Sequence, residues 1–211
     1  MNEKKQAKDM PKLESPFKRK KIEGDYVVFD EVNDGFDWVF ENDEVIATEK
    51  LDGTNVSIII EDGEIQEVWN RKNFIKPFSR NKNHHYIIKA ILNSLGRGYC
   101  DNLEDGQHFG EVIGPHIQGN RYDLEEELWL PLARIHRKYH YTSWGKYPKT
   151  FKAISEWFKD DLKSLFYANR HGLKLFSPKV ISAEGVVFVH PDGRMAKLRR
   201  DMFSWFKGKR H

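Results

Sequence analysis

A lysine closes an apolar run at Glu49-Lys50-Leu51-Asp52-Gly53-Thr54-Asn55, with carboxylates on both sides and a glycine close behind. Immediately afterwards, Asn55 to Ile60 and Ile65 to Trp69 flank Glu61-Asp62-Gly63-Glu64, a strong hairpin signal. The chain therefore has to lead a charged residue out of one strand, turn at a glycine and enter a hairpin. That is a poor place for an ordinary solvated lysine. It suits a nucleophilic one, because an amine attacks only after losing its proton.

Further elements follow from the same kind of pattern. Tyr26 to Phe29, Val45 to Thr48, Phe109 to Ile113 and Trp129 to Ile135 read as strands. So do Val186 to Val189 and Arg194 to Leu198, joined by the turn His190-Pro191-Asp192-Gly193. Residues 84–95 carry Ile87, Ile88, Ile91, Leu92 and Leu95 on one helical face, and Gly96 stops them. Thr150 to Arg170 reads as one long helix with an aromatic stripe through Phe151, Trp157, Phe158 and Phe166, expected to be core. Mostly antiparallel strands with a few helices make an α+β chain.

Residues 1–21 read as a basic flexible arm, dominated by Lys4, Lys5, Lys8, Lys12, Lys18, Arg19, Lys20 and Lys21 and diluted by Glu3, Asp9 and Glu14. It is either a solvated tail or an arm that tracks phosphates. Residues 22–211 read as one domain. The net charge is only +3, so charge placement, not total charge, has to reveal any polyanion partner. A single cysteine, Cys100, excludes an internal disulfide. No apolar run approaches a membrane span, and the Lys-rich start lacks a secretory apolar region, so a cytoplasmic protein without a membrane partner is expected.

Four more segments put charge inside apolar contexts. Asn70-Arg71-Lys72 ends the second hairpin strand. Phe109-Gly110-Glu111-Val112-Ile113-Gly114 and Ala183-Glu184-Gly185-Val186-Val187 each hold one carboxylate among apolar residues. Ala196-Lys197-Leu198-Arg199 sets two cations on one strand face. Buried charges need partners or a metal. Lys50, Arg71, Glu111, Glu184, Lys197 and Arg199 are able to satisfy one another around a phosphate and a divalent ion. Unrelated ion pairs at strand ends are the plainer reading of any one of them.

Taken in order, K-x-D-G, Arg, G-E-x-x-G, E-G-x-V and a basic pair resemble the motifs of the covalent nucleotidyltransferases, the superfamily of ligases and mRNA-capping enzymes. EKLDGTNVSIII, FGEVIGPHIQGN and SAEGVVFV are most similar to the phage and kinetoplastid-editing branch of ATP-dependent RNA ligases, which seals nicks in duplex RNA. The similarity runs from about residue 45 to 200 and is thin over 120–180.

The resemblance implies a nucleotidyltransferase domain, ATP-grasp-like, with two antiparallel β-sheets flanked by helices around a nucleotide cleft. It implies three steps: Lys50 takes AMP from ATP, AMP passes to a 5′-phosphate, and a 3′-hydroxyl displaces AMP. Glu49, Lys50, Asn55, Arg71, Glu111, Glu184, Lys197 and Arg199 become candidates for nucleotide binding. Glu111 and Glu184 are also candidates for Mg²⁺ or Mn²⁺, hard ions that suit carboxylates and phosphates. RNA ends or a nicked duplex, RNA or DNA, would be the partner of a monomer, with a partner protein left open.

The chain departs from the family pattern in two places. Arg199 stands where a second lysine is usual. The aromatic that should stack on adenine has no clear counterpart; Trp129 is the candidate, with core packing the alternative. Only Asp201 to His211 follow the last motif, so either a minimal core without a separate C-terminal domain or a piece cut from a longer protein is expected. Nucleic-acid contact would then fall to the domain surface, the arm or Lys207, Lys209 and Arg210. A small DNA ligase and a non-catalytic nucleic-acid-binding module with the same fold are the rival readings. His136 and His140 make a weak metal pattern, and Cys100 has no activating partner.

Overall fold

In a computed structural model describing residues 7–146 and 148–209, the hairpin after Lys50 forms as expected. Of the charged residues assigned to the two termini, Glu3, Lys4, Lys5 and Arg210 lie outside the described residues. In chain order the elements are β1 (Phe17–Ile22), β2 (Asp25–Val32), α1 (Trp38–Glu41), β3 (Ile46–Lys50), β4 (Thr54–Glu61), β5 (Glu64–Asn70) and β6 (Asn73–Phe74). Then come α2 (Lys82–Gly96), β7 (Gly106–Ile113), β8 (Leu128–Pro131), α3 (Leu132–Lys138), α4 (Phe151–Glu156), α5 (Leu165–Arg170), β9 (Gly185–Val189) and β10 (Met195–Arg199).

Every strand pair is antiparallel. The larger sheets run β6-β5-β4-β7-β8 and β10-β9-β3, and β1 with β2 makes a separate two-stranded ribbon. The α+β class with two antiparallel sheets is therefore present, and the ribbon adds a third. Among the described residues no helix is long and apolar enough to cross a membrane.

The chain divides into two compact units. The first comprises the described residues up to Pro11 with Asp52–Ile135. It holds the five-stranded sheet, α2, and a core that includes Val56, Ile58, Ile87, Ile91 and Trp129. The β4–β5 turn places Asp62 and Gly63 at φ 54° and 74°, and the Asp105 carboxylate accepts both of their N–H groups. The second unit comprises Lys12–Leu51 and the described residues from His136 onward. It holds the other two sheets and an aromatic core that includes Phe158, Phe188 and Phe203.

Three expectations about elements are corrected. The arm does not extend to residue 21, because Phe17 opens β1 and is buried, with Phe40 and Phe151 each 5.0 Å away. Lys18, Arg19, Lys20 and Lys21 hid that strand: Lys18 pairs with Glu31 and Asp34, and Lys20 lies over the Phe29 ring. The expected strand over Trp129–Ile135 stops at Pro131 and continues as α3. Proline lacks the N–H that a strand would need to go on pairing.

The expected helix over Thr150–Arg170 is broken. After α4 comes a π-helical turn at Trp157–Asp161, and Leu162 leaves helical geometry at φ −73°, ψ 89°. Ser164 then caps α5, its Oγ accepting from Tyr167 N–H at 3.0 Å. The break also divides the aromatic stripe: Phe151, Trp157 and Phe158 pack in the second unit's aromatic core, whereas Phe166 is buried with its ring 5.5 Å from Tyr139.

Candidate active site

The two faces of β3 separate the roles of Glu49 and Lys50. Ala47 and Glu49 point into the second unit, and Ala47 pairs with the buried Phe188. Thr48 and Lys50 point the other way. On that outer face the register makes two cross-strand rows, Lys50–Gly185–Arg199 and Thr48–Val187–Lys197. The E-G-x-V and basic-pair motifs are thus next to the lysine motif through sheet pairing alone.

Gly185 has a steric reason to be in the middle of its row. A Cβ there would lie 2.2 Å from the Leu198 carbonyl oxygen and 2.8 Å from Arg199 Cα. Without a side chain it also leaves the space between Lys50 and Arg199 open. Across that space Lys50 Nζ donates to Glu184 Oε2 at 2.7 Å and to the Leu51 carbonyl at 3.3 Å. Arg199 Nε lies 3.1 Å from Oδ1 of the buried Asp201.

Lys50, Lys197 and Arg199 therefore face Glu184 and Asp201, three cations against two carboxylates. The surplus of positive charge suits an anion. Burial holds the Lys197 ammonium below the usual lysine range, with Lys50, Arg199 and Lys12 adding to the shift and Glu184 opposing it. A phosphate on this face would oppose that shift. Lys12 belongs here because Lys197 N–H donates to the Glu14 carbonyl at 2.8 Å, which pins the segment beside β10.

Glu49 differs from its expected role. Its carboxylate is 1% exposed and accepts from Ser164 Oγ at 2.5 Å and from Phe166 N–H at 2.7 Å. Both oxygens are occupied at the start of α5, where the helix dipole also favours negative charge. In this structure the side chain of Glu49 anchors β3 to α5, and neither of its oxygens is exposed toward the Lys50 face.

The remaining candidates belong to the first unit. Asn55 stands opposite Glu111 across β4 and β7, and its Nδ2 donates to the Gly110 carbonyl at 3.3 Å. Gly53 is required just before them: a Cβ would come within 2.3 Å of the Val112 carbonyl oxygen and 2.8 Å of Glu111 Cγ. Asp52 N–H donates to the Tyr122 hydroxyl at 2.8 Å, and the Asp52 carboxylate lies 3.9 Å from Arg121. Arg71 is exposed at the turn after β5, with φ 54°.

Trp129 is corrected. It is 0% exposed, its indole N–H donates to the Val56 carbonyl at 3.0 Å, and it packs in the first unit's core. No ring face is left for a base. Sequence reasoning also passed over Asp201, Arg121 and Tyr122, and it placed Lys12 in the basic arm without tying it to this face. Asp201 carried one signal, a carboxylate two residues beyond a strand cation. The others lie far in sequence from the groups they approach.

Among the described residues no three His, Cys, Asp or Glu side chains gather as a metal cage. A hydrated Mg²⁺ or Mn²⁺ does not need one, since it takes one or two carboxylates and otherwise uses water and phosphate oxygens. Glu184, at the cationic face, is a donor of the right chemistry. Cys100 is no competing nucleophile: burial, with Asp101 adding to it, pushes its thiol up to about 11.

Comparison with known proteins gives the family. The sequence model of the RNA ligase family matches residues 43–208. No curated protein matches the chain. Among solved structures, a Naegleria gruberi RNA ligase mutant with ATP and Mn is similar at 18% identity and TM-score 0.45, over 89% of this chain and 59% of that one. The Naegleria gruberi RNA ligase with PPi is similar at 18% identity and TM-score 0.42, over 77% and 52%. An apo mutant of it gives 20% identity and TM-score 0.43, over 77% and 52%. This chain thus spans little more than half the length of those proteins. The match to the family model covers most of the chain, with Lys50, Glu184, Lys197 and Arg199 all inside it, and the chain belongs to the RNA ligase family.

Proposed function

We propose that the chain is an ATP-dependent RNA ligase that joins 3′-hydroxyl and 5′-phosphate ends through a lysyl-AMP intermediate on Lys50. The observation that carries this reading is the half-buried Lys50 amine, held 2.7 Å from Glu184 on the same sheet face as Lys197 and Arg199. In the first step the Lys50 nitrogen bonds to the α-phosphorus of ATP while the bond to the β-phosphate oxygen breaks and pyrophosphate leaves. Glu184, already the acceptor of the Lys50 hydrogen bond, receives the proton. Lys197 and Arg199 offset charge growing on the α-phosphate oxygens, the main electrostatic demand of phosphoryl transfer.

AMP then moves to a 5′-phosphate, and a 3′-hydroxyl attacks that phosphorus to release AMP. Asn55, Arg71 and Glu111 are assigned to nucleotide or 5′-phosphate contacts by their place in the motifs. Glu111 and Glu184 are each assigned to a hydrated divalent cation, Mg²⁺ or Mn²⁺, which when bound would neutralise phosphate charge. Within the family, the extended motifs EKLDGTNVSIII and FGEVIGPHIQGN favour the branch that seals nicks in duplex RNA.

Intact mass after incubation with ATP and Mg²⁺, followed by peptide mapping, is the test. The expected result is one AMP on Lys50. An unmodified protein across a wide range of pH and metal would overturn the reading. Nicks built from RNA, DNA and hybrid strands then decide the substrate: sealing of DNA nicks alone would overturn the assignment to RNA.

A further inference from the structure

The run Lys72 to Asn83 has no role in the chemistry above, yet its charge is one-sided. It holds four Lys or Arg residues and no Asp or Glu. Two phenylalanines project from it: Phe74 is 41% exposed and Phe78 fully exposed. Apolar rings in water beside unpaired cations are costly in a surface with no partner. They are also the two components of a single-stranded nucleic-acid site, cations for the backbone and rings for the bases.

The fold turns this run into a groove within the first unit. Strand β6 folds back on β5, so that the Trp69 and Phe74 rings meet edge to face at 5.2 Å. The loop after β6 is tied to the first turn of α2, where His84 Nδ1 accepts from Lys76 N–H at 3.2 Å and lies 3.0 Å from Ser79 Oγ. Between hairpin and helix lies an open groove of about 550 Å³. Trp69 and Phe74 form its aromatic side, Asn73, Asn81 and Asn83 bring amides, and Lys72 stands at it.

We infer that this groove holds an unpaired nucleotide from a single-stranded stretch of RNA flanking the ends to be joined, its base against Phe74 and Trp69 and its phosphate toward Lys72. Amide groups match base edges, since each offers both a donor and an acceptor. The Trp69 indole N–H is already given to Glu67 at 2.8 Å, so the ring contributes its face and edge, not a hydrogen bond. Phe78, with nothing packed on it, is placed to meet the neighbouring base. The inference rests on the RNA-ligase reading for the identity of the strand.

The test uses the full chain and fluorescence anisotropy with a short labelled single-stranded RNA and a blunt RNA duplex. Phe74→Ala is expected to weaken single-strand binding by about tenfold, the scale of one lost stacking contact, and to leave duplex binding unchanged. Lys72→Gln is expected to weaken it too and to reduce the slope of log affinity against log salt by about 0.7. Asn73→Asp, at an exposed position, puts a negative charge at the same place and serves if Phe74→Ala does not fold. Unchanged single-strand binding in folded variants, or equal loss on the duplex, overturns the inference. Each protein is also scored for its AMP adduct. Adducts with unaffected RNA binding would condemn the groove alone, whereas a wild-type chain without an adduct would condemn the ligase reading beneath it.

Discussion

Lys50 Nζ and Glu184 Oε2 are 2.7 Å apart, joining the end of β3 to the residue that precedes β9. The pair has two possible meanings, an ion pair that braces the sheet or a nucleophile with its proton acceptor. Lys50→Arg separates them, because arginine keeps the pair and cannot form the adduct. We expect Lys50→Arg and Lys50→Ala both to lose AMP labelling, measured by intact mass. Glu184→Gln keeps a hydrogen-bond partner but not the charge, and should slow adenylation by about 10²-fold, the lower end for a lost proton acceptor.

Lys197 gives the reaction an alkaline limit. Its ammonium is held below the ordinary lysine range, so it loses its charge at lower pH than a free lysine. ATP affinity should therefore fall as pH rises through that depressed value, as one of the phosphate's cations disappears. The sign for stability is opposite. Between the depressed native value and the ordinary unfolded one, the unfolded chain binds more protons, so folding stability rises with pH. Lys197→Arg, charged throughout, should remove the alkaline fall in ATP binding, measured by calorimetric titration at several pH values.

Arg199 is held by Asp201, which limits how much its identity matters. Arg199→Lys should keep adenylation within about tenfold, since a cation remains on the Gly185 row. Arg199→Ala should cost about 10²-fold or more by removing charge stabilisation at the phosphate. Single-turnover rates of adduct formation distinguish the two. Loss of labelling in Arg199→Lys would mean that the site depends on the guanidinium shape.

Glu49→Ala is expected to destabilise the fold by about 2–4 kcal/mol, because it strands the Phe166 N–H and the Ser164 hydroxyl in a buried setting. Urea unfolding measures it. A Glu49→Ala protein as stable as the wild type, but weak in ATP binding, would restore a nucleotide contact for that side chain.

Trp129→Phe should leave ATP affinity unchanged and lower stability by about 1–2 kcal/mol through the lost bond to the Val56 carbonyl. Equilibrium unfolding and ATP titration on the same protein check both halves. A selective loss of ATP binding would return Trp129 to the nucleotide.

What could be read from the chain followed from local chemistry. The β4–β5 hairpin was legible because Asp62 and Gly63 both tolerate positive φ. The convergence of Lys50, Glu184, Lys197 and Arg199 was legible because each is a charge in an apolar context and stands at a motif of the family order; the pairing of their strands in one sheet was not legible, since no short-range signal marks it. β1 was not, because four successive cations conceal a strand whose single inward ring is Phe17. The break before α5 was hidden as well: the aromatic period runs straight across it, and Ser164 looks like any helix serine until Glu49 is seen beside it. Trp129 misled because apolar sequence around a tryptophan fits a binding face and a core equally well.

Glu49 and Lys50 are neighbours with opposite destinations, and that has a consequence for how β3 settles. Sliding the strand by a single residue would turn the ammonium toward the aromatic interior and the carboxylate toward the phosphate side, exchanging the worst possible charge for each location. The grip of Ser164 and Phe166 on Glu49 makes that misalignment expensive. The carboxylate therefore works as a latch, and the reactive amine inherits its direction from a neighbour buried on the opposite side of the strand.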